Sequence, residues 1–201
     1  RHAIDVLGFN SLVLMENAGR GAVDVLESLG IHGPVGILCG KGNNGGDGIV
    51  IARHLAIRGH ICEVQLVAPA DELTGDAQSN YKVLTQCGVP IAPFNVDGNQ
   101  FDWLVDAMLG TGATGAPRAP YDAAIRWFNE QTTKKLAVDV PSGLDCDTGT
   151  AAGESVRADH TCTFFASKVG FAAGGASEFT GHVHVCDIGV PRAAWSRSAK
   201  S

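Results

Sequence analysis

The sequence has little of what several functional classes need. None of its six cysteines falls in a C-x-x-C pair, and aromatic residues make up 6% of the 201 positions. Thiols spaced this way indicate neither a zinc ribbon nor a disulfide framework, so reduced and partly buried cysteines are expected. No stretch approaches the roughly 18 uninterrupted apolar residues of a membrane span. The opening Arg1-His2-Ala3-Ile4-Asp5 does not read as a signal peptide. A soluble, cytoplasmic protein with no membrane partner is the expectation. The balance of 15 basic against 21 acidic residues gives a formal charge of −6, and no run of like charge exceeds two residues. Nucleic acid is therefore not an expected partner, because gripping a phosphate backbone takes clustered cations.

Glycine, by contrast, is plentiful: 26 residues, gathered at a few points rather than spread with a collagen-like period. Such clusters mark places where backbone approaches a ligand. With 45% hydrophobic residues, the chain has the size and composition of one globular domain spanning 1–201.

Hydrophobic periodicity orders the elements. Met15, Ala18, Ala22, Val25, Leu26 and Leu29 recur at helical spacing, and Gly30 stands where a C-cap stops the helix. Apolar runs predict strands over 35–39, 61–67, 103–108, 136–140, 161–165 and 182–187. Helices are expected over 48–56, 74–85 and 121–129. Strands alternating with helices imply βαβ crossovers and a mostly parallel sheet covered on both faces. In such sheets a ligand binds beyond the carboxyl ends of the strands, where the strand order switches. The loops after Cys39, Met108 and Val140 are thus the candidates for function.

The first loop, Gly40-Lys41-Gly42-Asn43-Asn44-Gly45-Gly46-Asp47-Gly48, satisfies G-x-G-x-x-G between a strand and a helix. It lacks the G-K-[ST] of a nucleotide-triphosphate loop. Val67-Ala68-Pro69 also stands where a dinucleotide-binding fold would carry a ribose-holding acid. A ligand-free Gly/Asn turn is the bland alternative. The second loop repeats the fingerprint at Gly110, Gly112 and Gly115, after a strand that ends near Asp106. A carboxylate there is costly unless it is paired, hydrogen-bonded or bound to a cation. In the third loop Asp139 interrupts an apolar strand and Pro141-Ser142-Gly143 forces a turn. Asp145-x-Asp147 lacks the further oxygen ligands of a calcium loop, so a solvated turn is expected. The amide of Asn44, the carboxylate of Asp106 and the hydroxyl of Ser142 together form an oxygen-only set, which suits a hard, undemanding cation better than zinc or copper.

Four segments occur in order: Leu14-Met15-Glu16-Asn17-Ala18-Gly19; Gly42-Asn43-Asn44-Gly45-Gly46-Asp47-Gly48 with Ala52-Arg53-His54-Leu55; Val105-Asp106-Ala107 with Gly110-Thr111-Gly112; and Asp139-Val140-Pro141-Ser142-Gly143-Leu144-Asp145 with Thr148-Gly149. Through them the chain resembles the NAD(P)H-hydrate epimerase family, the YjeF N-terminal domain, over nearly its whole length. The resemblance implies a Rossmann-like three-layer α/β sandwich with a mostly parallel central sheet. It implies an isomerase that interconverts the S and R epimers at C6 of hydrated NADH and NADPH. That is a nucleotide-repair step, coupled to a separate dehydratase that acts on one epimer. It implies potassium as cofactor, held by Asn44, Asp106 and Ser142. Substrate contacts are implied from Asn43, Asn44, Gly45, Gly46 and Asp47, from Gly110, Thr111, Gly112, Ala113, Thr114, Gly115 and Ala116, and from Asp139. A homodimer through the N-terminal helix follows from the same resemblance. Lys41 departs from the family pattern, in which proline is common, and the chain starts later than family members usually do. A stand-alone epimerase or an excised domain is expected.

Epimerisation requires C6 to become planar and then to be attacked from the other face. Loss and return of water or opening and closure of the ring would each do this, and both need a proton donor and acceptor at the hydroxyl. Asp139 is the candidate acid/base. Lys168, beyond the strand at 161–165, is the candidate for steadying developing charge or a phosphate. The competing reading is a non-catalytic nucleotide- or protein-binding module on the same fold, against which stand Asn44, Asp106, Asp139 and Ser142 together. An ordinary NAD-dependent dehydrogenase is disfavoured by the missing acid after the second strand. His182-x-His184, with no third nitrogen or sulfur ligand assignable, is expected to be a pair of surface histidines.

Overall fold

The runs Val35–Cys39 (β1) and Trp103–Ala107 (β4) are buried at every position, as central strands covered on both faces must be. In the computed structural model, which describes residues 2–96 and 100–191, they pair in parallel at the middle of a seven-stranded sheet. Cys62–Leu66 (β2) and the short Ile91–Pro93 (β3) continue the sheet on one side. Lys134–Val138 (β5), His160–Phe164 (β6) and His182–Cys186 (β7) continue it on the other. The order is β3-β2-β1-β4-β5-β6-β7, and every pairing is parallel. Residues 1, 97–99 and 192–201, part of the single domain expected over 1–201, lie outside the described residues.

Helices cover both faces. After a short turn of helix, His2–Asp5 (α1), the long Ser11–Leu29 (α2), Asn43–Ile57 (α3) and Gly75–Leu84 (α4) bury Leu26, Ile49, Ile51, Leu55 and Leu84 against Ile37, Val64, Val105 and Leu136. Tyr121–Glu130 (α5) buries Ile125, Trp127 and Phe128 against Leu38, Leu104 and Ala137 on the opposite face. Ser177–Thr180 (α6) leads into β7. The three-layer α/β sandwich is as expected, with the sheet wholly rather than mostly parallel. All six cysteines are free, four of them buried. No helix among the described residues is long and apolar enough to cross a membrane.

Three elements depart from expectation. Helix α3 begins at Asn43, inside the glycine run, rather than near residue 48. Low glycine propensity, worth about 1 kcal/mol per residue, is overridden because the packing there admits no side chain. Strand β5 ends at Val138 because Asp139 turns to φ +64. Strand β3, with no fully buried residue, gave no apolar run to read. At the far edge His160 joins the expected pair: its Nδ1 lies 3.1 Å from His184 Nε2. Even so, among the described residues no group of three or more His, Cys, Asp or Glu is placed to hold a metal ion.

Candidate active site

The chain runs outward from β1 toward β2 and from β4 toward β5, so β1 and β4 flank the point where strand order switches. Their carboxyl ends are tied together: the Gly40 N–H donates to Ala107 O at 3.0 Å. Backbones approach so closely that a Cβ on Gly40 would fall 1.9 Å from Met108 O, and one on Gly45 would fall 1.8 Å from Gly40 O. Glycine is needed at both positions for space. This contact brings the first turn of α3 over the end of β4.

Three polar side chains meet there. Asp106 is fully buried. Its Oδ1 accepts from the Ser142 hydroxyl at 2.6 Å and from Met108 N–H at 3.1 Å, and its Oδ2 accepts from Ser142 N–H at 2.8 Å. Burial pushes its carboxyl up to about 6, against the opposing pull of the two Ser142 bonds and the Met108 amide. Ser142 Oγ in turn accepts from Leu109 N–H at 2.8 Å. Asn44 donates its Nδ2 to Leu109 O at 3.0 Å, which leaves its Oδ1 buried and without a partner. An orphaned buried acceptor is expensive. Asn44 and Ser142 both hold the Leu109 backbone and Ser142 bonds Asp106, so the cluster comprises an amide, a hydroxyl and a carboxylate, an oxygen set carrying one formal charge.

Beside this cluster opens a cleft of about 640 Å³, within the usual range for ligand sites. Of the residues singled out from the sequence, Asn43, Asn44, Asp47, Gly110, Thr111, Gly112, Ala113 and Asp139 line it. Gly45 and Gly46 are packed beneath, Gly46 against Met15, whereas Thr114, Gly115 and Ala116 run on as exposed chain beyond it. Asp139 and Lys168 come together across the ends of β5 and β6. Nζ lies 2.6 Å from Oδ1 with both side chains largely shielded, in an ion pair whose angles fall outside hydrogen-bonding geometry. Asp47, on the cleft wall, has no hydrogen-bond partner among the described residues. Its carboxyl is held well above the usual range by desolvation and by the like charges of Asp139 and Asp76.

Sequence reasoning did not single out the apolar wall of the cleft, which is Leu14, Met15 and Ala18 of α2 with Phe164 and Ile188. The available signal was the motif at 14–19, which reads as a helix face. Its polar members serve the scaffold. Glu16 pairs with Arg53 and, at 2.7 Å, with His54 Nε2, tying α2 to α3. Asn17 donates to Ile188 O at 3.0 Å. Asp145 accepts from Asp147 N–H, Thr148 N–H and the Thr148 hydroxyl at 2.8–3.0 Å, so it closes its own turn, as expected.

Comparison with known proteins places these segments. The family model described as YjeF-related protein N-terminus matches residues 11–170. A protein of Rhodopirellula baltica named NAD(P)H-hydrate epimerase is 43% identical over 94% of this chain and 80% of its own length. One of the same name from Pirellula staleyi is 44% identical over 95% of this chain and 88% of its own. A bifunctional NAD(P)H-hydrate repair enzyme of Salinibacter ruber is 38% identical along the whole chain, which spans 40% of that relative. Among solved structures, the yeast protein YNL200c superimposes with a TM-score of 0.75 at 25% identity, over 84% of this chain and 77% of its own.

Proposed function

The chain belongs to the family of YjeF-related protein N-termini, and from that premise we propose that it is an isomerase that epimerises the hydrated forms of NADH and NADPH at C6. One observation carries the reading. The segments shared with the family lie far apart in the chain, yet they gather at a single cleft at the strand-order switch, with Asp139 and Asp47 on its walls and Lys168 paired to Asp139.

The residues divide the chemistry among them. The C6 hydroxyl leaves and returns, or the ring opens and closes, and in either case a proton must reach and leave that oxygen. Asp139 and Lys168 offer an acceptor and a donor 2.6 Å apart at the end of β5. Asp47, which retains its proton to higher pH than an ordinary carboxyl, is suited to give one to the departing oxygen. Two acids in unlike surroundings, one ion-paired and one facing like charge, form an arrangement that separates acid from base. The exposed loop from Gly110 to Ala116 and the N–H groups at the start of α3 are the substrate contacts in this reading.

Asn44, Asp106 and Ser142 fit a potassium ion. The orphaned Asn44 Oδ1 points to a missing partner, and one carboxylate among neutral oxygens suits a monovalent hard cation. Held by these three residues, the ion would supply positive charge beside the buried Asp106. Coupling to a dehydratase accords with relatives named bifunctional repair enzymes. A reducing cytoplasm suits six free thiols. A homodimer through the N-terminal helix completes the proposal.

The test follows purified R-epimer of hydrated NADH by chiral chromatography, with and without the protein, in potassium and in potassium-free buffer. Acceleration over the spontaneous rate, fading without potassium, is the expected result. A folded protein that binds the hydrate without accelerating its epimerisation would instead be a binding module.

A further inference from the structure

The cleft has a charge mismatch that the residues assigned above leave standing. A dinucleotide hydrate brings the negative charges of its pyrophosphate, and a 2′-phosphate in the phosphorylated form. The cleft presents the carboxyl groups of Asp47, Asp76 and Asp139. Helix N–H groups meet part of that demand. Among the described residues lining the cleft, Lys41 is the one cation. The nearby ammonium of Lys168 is engaged with Asp139.

Lys41 has a fixed root and an exposed head. It follows Gly40, whose N–H is tied to Ala107 O, and its own N–H donates to Tyr121 Oη at 3.4 Å. Its side chain is 55% exposed and reaches Glu72 Oε2 at 2.7 Å, with Glu72 itself 48% exposed. Glu72 ends the short 3₁₀ turn Ala70–Glu72 that follows β2. That corner lies on the β1–β2 side of the cleft, away from the Asp139–Lys168 pair at β5–β6. In dinucleotide-binding sheets of this order, the region beyond β2 receives the ribose and whatever its 2′ position carries.

We infer that Lys41 is a substrate-binding residue that exchanges Glu72 for a phosphate group of the hydrated nucleotide. The inference rests on the epimerase reading above for the identity of that nucleotide. A half-exposed carboxylate pair is screened by water and holds the lysine weakly. A phosphate offers more charge and more acceptor oxygens to the same ammonium. Glu72 therefore parks the lysine at the mouth of the cleft until substrate displaces it, and it weakens binding by competing with substrate.

The experiment compares wild type with K41A, K41R and E72Q. One readout is epimerisation of hydrated NADH and of hydrated NADPH. The other is calorimetric binding of ADP-ribose and 2′-phospho-ADP-ribose, which needs no turnover. K41A is expected to raise KM and Kd about three- to tenfold while kcat holds, and K41R to restore most of the loss. E72Q is expected to lower both constants about two- to threefold. All these differences should shrink by half or more on going from about 0.05 to 0.5 M salt. A loss confined to 2′-phosphorylated ligands assigns Lys41 to that phosphate, and an equal loss for both kinds assigns it to the pyrophosphate. Equal Kd values for K41A and wild type with every ligand at low salt overturn the inference. Lys41-dependent binding of ADP-ribose by a protein that fails to epimerise would sink the epimerase reading and leave the role of Lys41 standing.

Discussion

The two G-x-G-x-x-G loops share a spacing and a place at the end of a central strand, yet they are held in opposite ways. In the first, at Gly40, Gly42 and Gly45, backbone presses on backbone with no space for a Cβ at positions 40 and 45, and the loop becomes the first turn of α3. In the second, at Gly110, Gly112 and Gly115, the chain leaves the surface, and a Cβ on Gly112 or Gly115 would meet nothing within 4 Å. What fixes the second loop is its root, where Asp106, Ser142 and Asn44 bind the backbone of Met108 and Leu109. One fingerprint thus covers a steric lock and an electrostatic one. The pattern alone identifies neither a dinucleotide site nor a particular way of building a loop.

The largest expected effect belongs to neither loop. If the glycines of both loops only frame the cleft and protons move through its carboxyl groups, Asp139→Asn will lower kcat by roughly 10²–10⁴ while substrate binding persists. Asparagine tolerates the left-handed backbone at φ +64, so the turn should survive. Single-turnover rates and equilibrium binding measure the two separately. A glycine-loop variant that stays folded yet loses as much kcat would break the comparison.

Next in size is the steric lock. Gly45→Ala places a methyl 1.8 Å from Gly40 O and should cost about 3–5 kcal/mol, read as a fall in the urea midpoint or as failure to accumulate folded protein. Gly45→Ala with a midpoint near wild type would show that the first loop is no tighter than the second.

The electrostatic lock should respond to pH. The folded Asp106 carboxyl, pushed up to about 6, keeps a proton that the unfolded chain releases near 3.8. More protons are then bound in the folded state, so stability relative to Asp106→Asn should fall as pH rises through that window in potassium-free buffer. The fall should be on the order of 2–3 kcal/mol, and potassium should flatten it by favouring the ionised form. Denaturant midpoints at several pH values, with and without potassium, measure it. A difference that does not vary with pH would mean that the root of the second loop is not electrostatic. Smallest of all, Gly112→Ala should move stability by no more than about 0.5 kcal/mol, and Gly115→Ala, at φ +76, by about 1 kcal/mol.

Much of this was legible in the sequence, for physical reasons. Strands β1 and β4 are buried on both faces, so β1 appears as an unbroken apolar run and β4 as one broken only by Asp106. Asp106 and Asp139 stood out because a carboxylate in such a run must have a partner. The partners were harder to read. The Asp139–Lys168 contact depends on β5 lying beside β6, which no local pattern encodes. Helix α3 was expected too late in the chain because glycine propensity argues against a helix that tertiary contact imposes. His160 was absent from the expected histidine pair because its proximity to His184 arises from register between strands. The apolar cleft wall on α2 was hidden in plain periodicity, since a helix face that greets a ligand and one that greets a core use the same residues.

The strand order also shapes how the molecule is assembled in time. Strand β1 pairs on one side with β2, its close successor in the chain, and on the other with β4, which follows only after β2, α4 and β3. The β1–β4 pairing therefore joins an early half of the sheet to a late one, and it costs the longest loop closure among the strand pairings. The cleft lies on that join. Substrate or potassium held there would bind the two halves only after they have met, so a ligand added during refolding should slow unfolding more than it speeds folding.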